Sequence, residues 1–354
     1  EAQSRATSVY LVDRVVPMLP EHLCNGICSL RPNEEKLAFS CVFELDDNAN
    51  VLASRIGRTV IESDRRFTYE EAQEVIETGQ GDFNEEILTL DRLAKALRAR
   101  RFENGSVDFD REEVRFDIDE TGHPVGVYFK VSKDANKLIE EFMLLANKTV
   151  AATIGKTEKR RKSKAFVYRV HDQPDSAKLT DLAAIARAFG YKVKTHGTPA
   201  EINRSINKML QEVKGKGEEN YLSVLAIRSM AKAIYTTENI GHYGLGFDFY
   251  THFTSPIRRY PDMMVHRLLE RYLAGGRSVS LDKLEEQCNH SSAMEQLAAN
   301  AERSSIKYKQ VEYMADHLGE EFDGMISGVT EWGLYVELDE NKCDGLVPMR
   351  DLAD

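Results

Sequence analysis

Apolar positions recur along this chain in two rhythms, and the rhythm changes at punctuated points. Residues 36–63 alternate in the strand manner: Leu37, Phe39, Val42 and Phe43, then Val51, Ala53, Ile56, Val60 and Ile61. The polar stretch from Asp46 to Asn50 separates the two runs and predicts a hairpin or meander. Residues 84–102 carry Ile87, Leu90, Leu93, Ala94 and Leu97 at helical spacing. Strand rhythm returns over 105–130, with Gly122-His123-Pro124 as its turn. Residues 133–154 predict a strong helix on Leu138, Phe142 and Leu145, and this helix carries the adjacent pair Glu140 and Glu141. Further helices are predicted over 176–190, 199–215 and 218–237. Segment 279–318 is polar, Ala-rich and nearly free of Gly and Pro, the composition of one long helix or two joined ones. Beyond it, 322–329 and 333–338 read as two strands of a small β-barrel. A domain boundary is therefore placed at 318–321.

Composition narrows the class. The chain has 354 residues, 42% hydrophobic and 30% charged, with a net charge of −11 and a pI near 5.5. Such acidity argues against a nonspecific nucleic-acid coat, which relies on a basic surface. A local basic channel stays open, because binding responds to the field at the contact. Five cysteines, odd and sparse, argue against a disulfide scaffold and for a reducing compartment, the cytoplasm. Cys24 and Cys28 lack a matching Cys/His pair at zinc spacing, so burial as small apolar residues is the expectation. No apolar run has the length of a membrane span. The chain opens Glu1-Ala2-Gln3-Ser4 and closes Asp351-Leu352-Ala353-Asp354 inside a strand-rich pattern, which reads as a segment of a longer protein.

The densest chemistry lies in 241–267. Arg258 and Arg259, several aromatics and the histidines His242, His252 and His266 share one segment, loosened by Gly241, Gly244 and Gly246 and stiffened by Pro256 and Pro261. Guanidinium groups suit phosphate oxygens and rings suit bases, so the mixture points to an anionic, base-bearing polymer. Pro256 biases Ser255 away from helix, and helical spacing resumes after Pro261, so the arginines sit at a loop-to-helix junction. Pairing of Arg258 with a buried acid is the alternative. Ser255 lacks a Gly-x-Ser-x-Gly elbow and is a weak nucleophile candidate. The basic run containing Lys159, Arg160 and Arg161 reads as solvated surface, with an RNA-backbone contact as the alternative.

Several ordered stretches carry a resemblance. They are Thr7-Ser8-Val9-Tyr10-Leu11 on to Pro17-Met18-Leu19-Pro20, Asn25 to Leu30, Leu138-Ile139-Glu140-Glu141 with Leu145-Ala146-Asn147, Tyr168-Arg169-Val170-His171-Asp172, and all of 241–267. Over roughly residues 5–318 the chain resembles the RNase II/RNase R (RNB) family of 3′-to-5′ exoribonucleases, on its ribonuclease R side. Residues 320–354 resemble the first half of an S1 RNA-binding domain, an OB-type barrel.

The resemblance implies an α+β fold: a twisted, mostly antiparallel sheet with helices around a narrow RNA channel, plus a partial barrel. It implies domains at 1–318 and 319–354. It implies processive hydrolysis of single-stranded RNA from a free 3′ end, releasing nucleoside 5′-monophosphates with Mg²⁺, and RNA-degradation or ribosome-associated factors as further partners. By position, Arg258 matches the arginine at the reacting phosphate, Glu140 the helix-borne glutamate of the active site, and Tyr69 the tyrosine that sets final product length. Glu141 reads instead as a solvated helix charge. Tyr10 and Phe109 match aromatics that stack on bases, where core packing is the bland reading.

One departure matters. The family's metal-holding Asp-x-Asp-Asp cluster is absent from these 354 residues and is expected upstream of Glu1. Asp46-Asp47 sits in a turn, Asp108 and Asp110 alternate on a strand, and neither substitutes for it. Asp172 and Asp262 read as hydrogen-bonded structural acids. The chain by itself is thus expected to be inactive. A noncatalytic RNA-binding or scaffold member of the family is the alternative function.

Overall fold

The computed structural model describes residues 1–107, 113–156 and 163–352. Its helices are α1 (Ala2–Arg5), α2 (Tyr69–Thr78), α3 (Asn84–Glu103), α4 (Asp134–Gly155), α5 (Ser176–Ala188), α6 (Pro199–Val213), α7 (Glu219–Ser229), α8 (Tyr260–Leu273) and α9 (Leu281–Ala315). Its strands are β1 (Val9–Tyr10), β2 (Val15–Val16), β3 (Glu35–Leu45), β4 (Val51–Glu62), β5 (Glu113–Ile118), β6 (Pro124–Lys130), β7 (Tyr168–Val170), β8 (Ile234–Thr236), β9 (Gly324–Thr330), β10 (Gly333–Leu338) and β11 (Asp344–Pro348).

The hairpin predicted over 36–63 is β3–β4, antiparallel from Glu35↔Glu62 to Leu45↔Val51. Its tip closes because the Asp46 carboxylate accepts from the backbone N–H groups of Asn48 (3.0 Å) and Asn50 (2.7 Å). Arg92 and Arg100 then fasten the tip to α3, donating to Asp47 O (2.6 Å) and Asn50 Oδ1 (3.0 Å). Asp119 closes β5–β6 in the same way, accepting from the N–H groups of Thr121 and His123. Such side-chain acceptors satisfy turn donors that no ladder reaches.

The strands do not merge into the single twisted sheet expected. Among the described residues they form four two-stranded pairs and one three-stranded sheet, β9–β10–β11, and every strand pair is antiparallel. Most pairs are local hairpins, and helical segments come between them. Strands β1, β6 and β8 pack against α9, and β3–β4 packs on the main core through Phe39, Cys41, Phe43 and Ile56.

A second correction concerns 218–237. The helix stops at Ser229, whose hydroxyl donates to Ala226 O (2.6 Å). Ile234-Tyr235-Thr236 instead becomes β8, paired with β7. This β-branched and aromatic triplet fits a pleated surface, and Tyr235 is buried there.

The main core joins the second half of α4 (Ala146, Val150, Ala151), the segment 165–168, β7, β8 and Phe253 to α8 (Met264, Val265, Leu268, Leu269) and the start of α9 (Leu284, Cys288). A second core belongs to α5, α6 and α7. A small third cluster, Ala49, Leu93, Leu97 and Leu145, seats the β3–β4 tip on α3 and α4. The expectation of burial fails for Cys28, which is exposed, and Cys24 is half-buried; Cys288 and Cys343 are buried. Among the described residues no helix is long and apolar enough to cross a membrane.

Candidate functional site

The 241–267 segment is built around contacts to α4 and β7. Gly244 donates its N–H to His171 Nδ1 at 2.9 Å. A Cβ on Gly244 would lie 3.1 Å from that same nitrogen, so the close approach favours glycine. His171 Nε2 donates to Ala231 O (2.8 Å), which fixes the neutral tautomer. His242 stacks on His171 with centroids 5.1 Å apart and accepts from Leu245 N–H at Nδ1 (3.3 Å). Tyr250 meets His242 edge-on, and Tyr235 hydroxyl pairs with His252 Nδ1 at 2.8 Å. His266 lies 4.5 Å from the Phe253 ring.

Burial pushes these imidazoles down. His242 falls to about 3, through burial first and then His171 and Arg169. His252 falls well below its ordinary value, and His171 and His266 shift the same way, burial leading in each. Desolvation disfavours the charged form. His242 is therefore a neutral imidazole packed on His171 and Tyr250, and the RNA-binding role expected of it would rest on an uncharged ring.

The two arginines part company. Asp262, fully buried, accepts from Ser255 N–H (2.7 Å) and from Arg259 Nε (2.9 Å) and Nη2 (2.8 Å). Arg259 is thus the arginine paired with a buried acid, and the RNA contact expected of it would have to share a guanidinium already engaged through Nε and Nη2. Arg258, one residue earlier, is exposed, and no acceptor for its guanidinium is found among the described residues. Its backbone is nonetheless held, since Arg258 O accepts from Ser8 N–H (3.0 Å) and from the Thr7 hydroxyl (3.3 Å). Tyr260 N–H donates to Ala6 O (2.8 Å). The Thr7-to-Tyr10 stretch therefore runs beside the arginine loop. Tyr10 is 45% exposed, and its N–H donates to Glu302 of α9 (2.9 Å).

On α4 the adjacent glutamates also divide, against expectation. Glu141 is 4% exposed and Arg101 7%. Arg101 donates to Glu141 Oε1 from Nε (3.0 Å) and Nη2 (2.6 Å) and to Ser106 Oγ (2.7 Å). Ser106 Oγ donates on to Gly244 O (3.1 Å). Glu141 is therefore a structural anchor joining α3, α4 and the glycine loop, not a solvated charge. Glu140 has a half-exposed side chain, 3.5 Å from Arg101 Nη2. Seven residues on, Asn147 accepts from Phe253 N–H (2.9 Å) and donates to Tyr250 hydroxyl (3.3 Å). Residues i and i+7 share a helix face about two turns apart, so Glu140 lies on the same face of α4 as Asn147, which holds Phe253 and Tyr250.

Tyr69 opens α2 and is 43% exposed. A reciprocal cap fixes its backbone: Thr68 Oγ1 accepts from Glu71 N–H (3.1 Å), and Glu71 Oε2 accepts from Thr68 N–H (2.7 Å). Asp172 is exposed and accepts from Gln173 N–H. Phe109, Asp108, Asp110, Lys159, Arg160 and Arg161 lie outside the described residues. Among the described residues no three His, Cys, Asp or Glu side chains assemble as a metal site, so the residues present do not fit the Mg²⁺ that the resemblance implies. Sequence reading missed Arg101 and Ser106; Arg100-Arg101 at a helix end looks like surface charge, and only the packing of α3 on α4 buries one of the two.

Arg258, on its pinned backbone, and Tyr10, on the neighbouring stretch, are both exposed, and Glu140 of α4 is half-exposed. Residues 1–275 match the RNB domain family, and the chain belongs to it. Ribonuclease R of Aquifex aeolicus is 40% identical over 100% of this chain and 50% of its own length. The chain thus spans about half the length of that curated relative. Mycoplasma genitalium RNase R in complex with ribose methylated single-stranded RNA superposes with a TM-score of 0.89 at 29% identity, covering 100% of this chain and 56% of that one. Its complex with double-stranded RNA gives 0.86 over 99% and 63%. Yeast Ssd1, a pseudonuclease, shares the fold at a TM-score of 0.76 and 21% identity, over 98% and 43%.

Proposed function

We propose that the protein acts as the RNB part of a processive 3′-to-5′ hydrolytic exoribonuclease that releases nucleoside 5′-monophosphates from single-stranded RNA. The observation that carries this reading is Arg258: exposed, with no acceptor among the described residues, on a backbone clamped by Thr7 and Ser8. In this reading Arg258 holds the reacting phosphate and stabilises the charge that grows on it, an interaction of ~3–4 kcal/mol at a preorganised site. Glu140 is read as the helix-borne glutamate of the same active site, and Tyr69 as the residue that bounds the end of the RNA path. Tyr10 and Phe109 stack on bases, each worth ~1–3 kcal/mol and indifferent to sequence. Lys159, Arg160 and Arg161 would follow the RNA backbone.

Mg²⁺ belongs to this reading only through acids outside these 354 residues, so no step is routed through it here. The chain alone is then inactive. Residues 319–354 are read as the first half of an S1 domain, a reading that β9–β10–β11 supports. The cytoplasm is the proposed location, with RNA-degradation or ribosome-associated factors as partners.

The test uses fluorescent single-stranded RNA. The protein is expected to bind it, and Arg258→Ala to weaken binding about tenfold or more, as the loss of a charge-assisted contact implies. No monophosphate is expected with Mg²⁺. Degradation by the 354-residue chain that Arg258→Ala abolishes would overturn the inactivity. RNA affinity indifferent to Arg258→Ala would overturn its role. The fold shared with the pseudonuclease Ssd1 favours a second reading, a noncatalytic RNA-binding member. Mg²⁺-dependent release of monophosphate on addition of a family Asp-x-Asp-Asp segment ahead of Glu1 would favour the enzyme, and RNA binding without release the second reading.

A further inference from the structure

A cavity of about 40 Å³ lies between α3, α4 and the glycine loop, lined by Leu97, Arg100, Arg101, Glu141, Lys148 and Phe247 among others. Three of these side chains are cationic and one is anionic. Glu141 is already engaged by Arg101. Arg100 is turned to the hairpin tip, donating to Asn48 O (2.5 Å), Asn50 Oδ1 (3.0 Å) and Ala49 O (3.4 Å). Lys148 differs from both. Its ammonium stands 5.2 Å from the centroid of the Phe247 ring, and among the described residues no oxygen accepts from it.

A partly buried ammonium without an acceptor is costly, and here two guanidinium groups stand near it. Burial, then Arg100, holds the lysine below its ordinary pKa. With Arg100, Arg101 and Lys148 against Glu141, the lining carries an excess of two positive charges, and the oxygens that Arg100 reaches are uncharged. The volume admits about three water-sized spheres, which suits a tetrahedral oxyanion. Leu97 and Phe247 keep the remainder apolar.

We propose that this cavity is a binding site for a phosphate-sized oxyanion, held by Lys148 with Arg100 and Arg101 around it. The ammonium supplies the direct contact and the aromatic ring limits its swing. The arginines keep their present partners and contribute through charge. The site does not depend on the exoribonuclease reading, since neither Arg258 nor Glu140 lines it.

Inorganic phosphate, titrated against chloride at matched ionic strength, tests this by calorimetry and thermal unfolding. Phosphate should bind and raise the melting temperature beyond the chloride control. Lys148→Met should weaken phosphate binding about tenfold or more, the equivalent of about 1.4 kcal/mol, and should raise the melting temperature in phosphate-free buffer. Lys148→Arg keeps the charge and should keep binding within about threefold by the same conversion, which guards against a Met variant that misfolds. AMP provides the second arm: AMP binding that Lys148→Met removes places the recognised phosphoryl group on a nucleotide and supports the site. Equal stabilisation by chloride, or a phosphate affinity unchanged in Lys148→Met, would overturn it.

Discussion

Asp262→Ala probes the arginine loop where its support is most concentrated. The wild-type carboxylate accepts three hydrogen bonds at 2.7, 2.9 and 2.8 Å, one from Ser255 N–H and two from Arg259. Asp262 is fully buried, and the Arg259 side chain is 17% exposed. Removing one partner of such a pair leaves an uncompensated charge and costs about 3–5 kcal/mol. Orphaning the Ser255 N–H adds about 1 kcal/mol. The sum, about 4–6 kcal/mol, is a large share of the ~5–15 kcal/mol that stabilises a typical domain. Asp262→Asn should cost less, because its amide oxygen still accepts from Ser255. Arg259→Met combined with Asp262→Ala should recover part of the loss, with a coupling of about 2 kcal/mol or more. Urea unfolding followed by far-UV circular dichroism at pH 7 measures each corner of the cycle. A cost under about 1.5 kcal/mol, or a coupling under about 0.5 kcal/mol, would refute a desolvated, mutually dependent pair.

Other outcomes follow from the same geometry. His242, with its pKa lowered to about 3, binds fewer protons folded than unfolded, so stability rises with pH between that value and the ordinary imidazole range. At pH 5 its contribution is lower than at pH 7 by about 2 kcal/mol; His242→Asn should flatten this slope, and an unchanged urea profile at the two pH values would count against it. His123 works in the opposite sense. Asp316 and then Glu312 hold its pKa up, so its contribution is present below the ordinary value and lost as pH rises through the folded one. Thermal melts of His123→Ala across pH 6–8 should lack that component. Thr68→Ala should cost about 1 kcal/mol by removing the cap of α2, read by chemical unfolding, and a variant as stable as the parent would argue against the capping box.

Much of the fold was legible because its elements rest on local chemistry. The β3–β4 hairpin follows from alternation plus an Asp-Asn turn, and α3, α4 and α9 follow from spacing and composition. The reading of 218–237 failed because a short β-branched triplet after a helix carries no period of its own; pairing with β7, far away in sequence, made it a strand. The single sheet failed for a related reason. Alternation predicts strands but not which strands meet. The site was legible in kind at 241–267 but not in detail, since the roles of Arg258 and Arg259 cannot be told apart by residue type.

By itself the sequence determined the hairpins, most helices and the ordered motifs that place the chain in its family, because these depend on neighbours within a few residues. Tertiary structure decided which member of each adjacent pair is buried against a charged partner. Neighbours on a helix point about 100° apart, so Glu141 meets Arg101 of another helix while Glu140 stays half-exposed. Arg259 turns into the Asp262 pocket while Arg258 faces solvent. The same packing holds His242 neutral. Charge state and availability come from desolvation and from partners distant in sequence, and only the assembled fold supplies those.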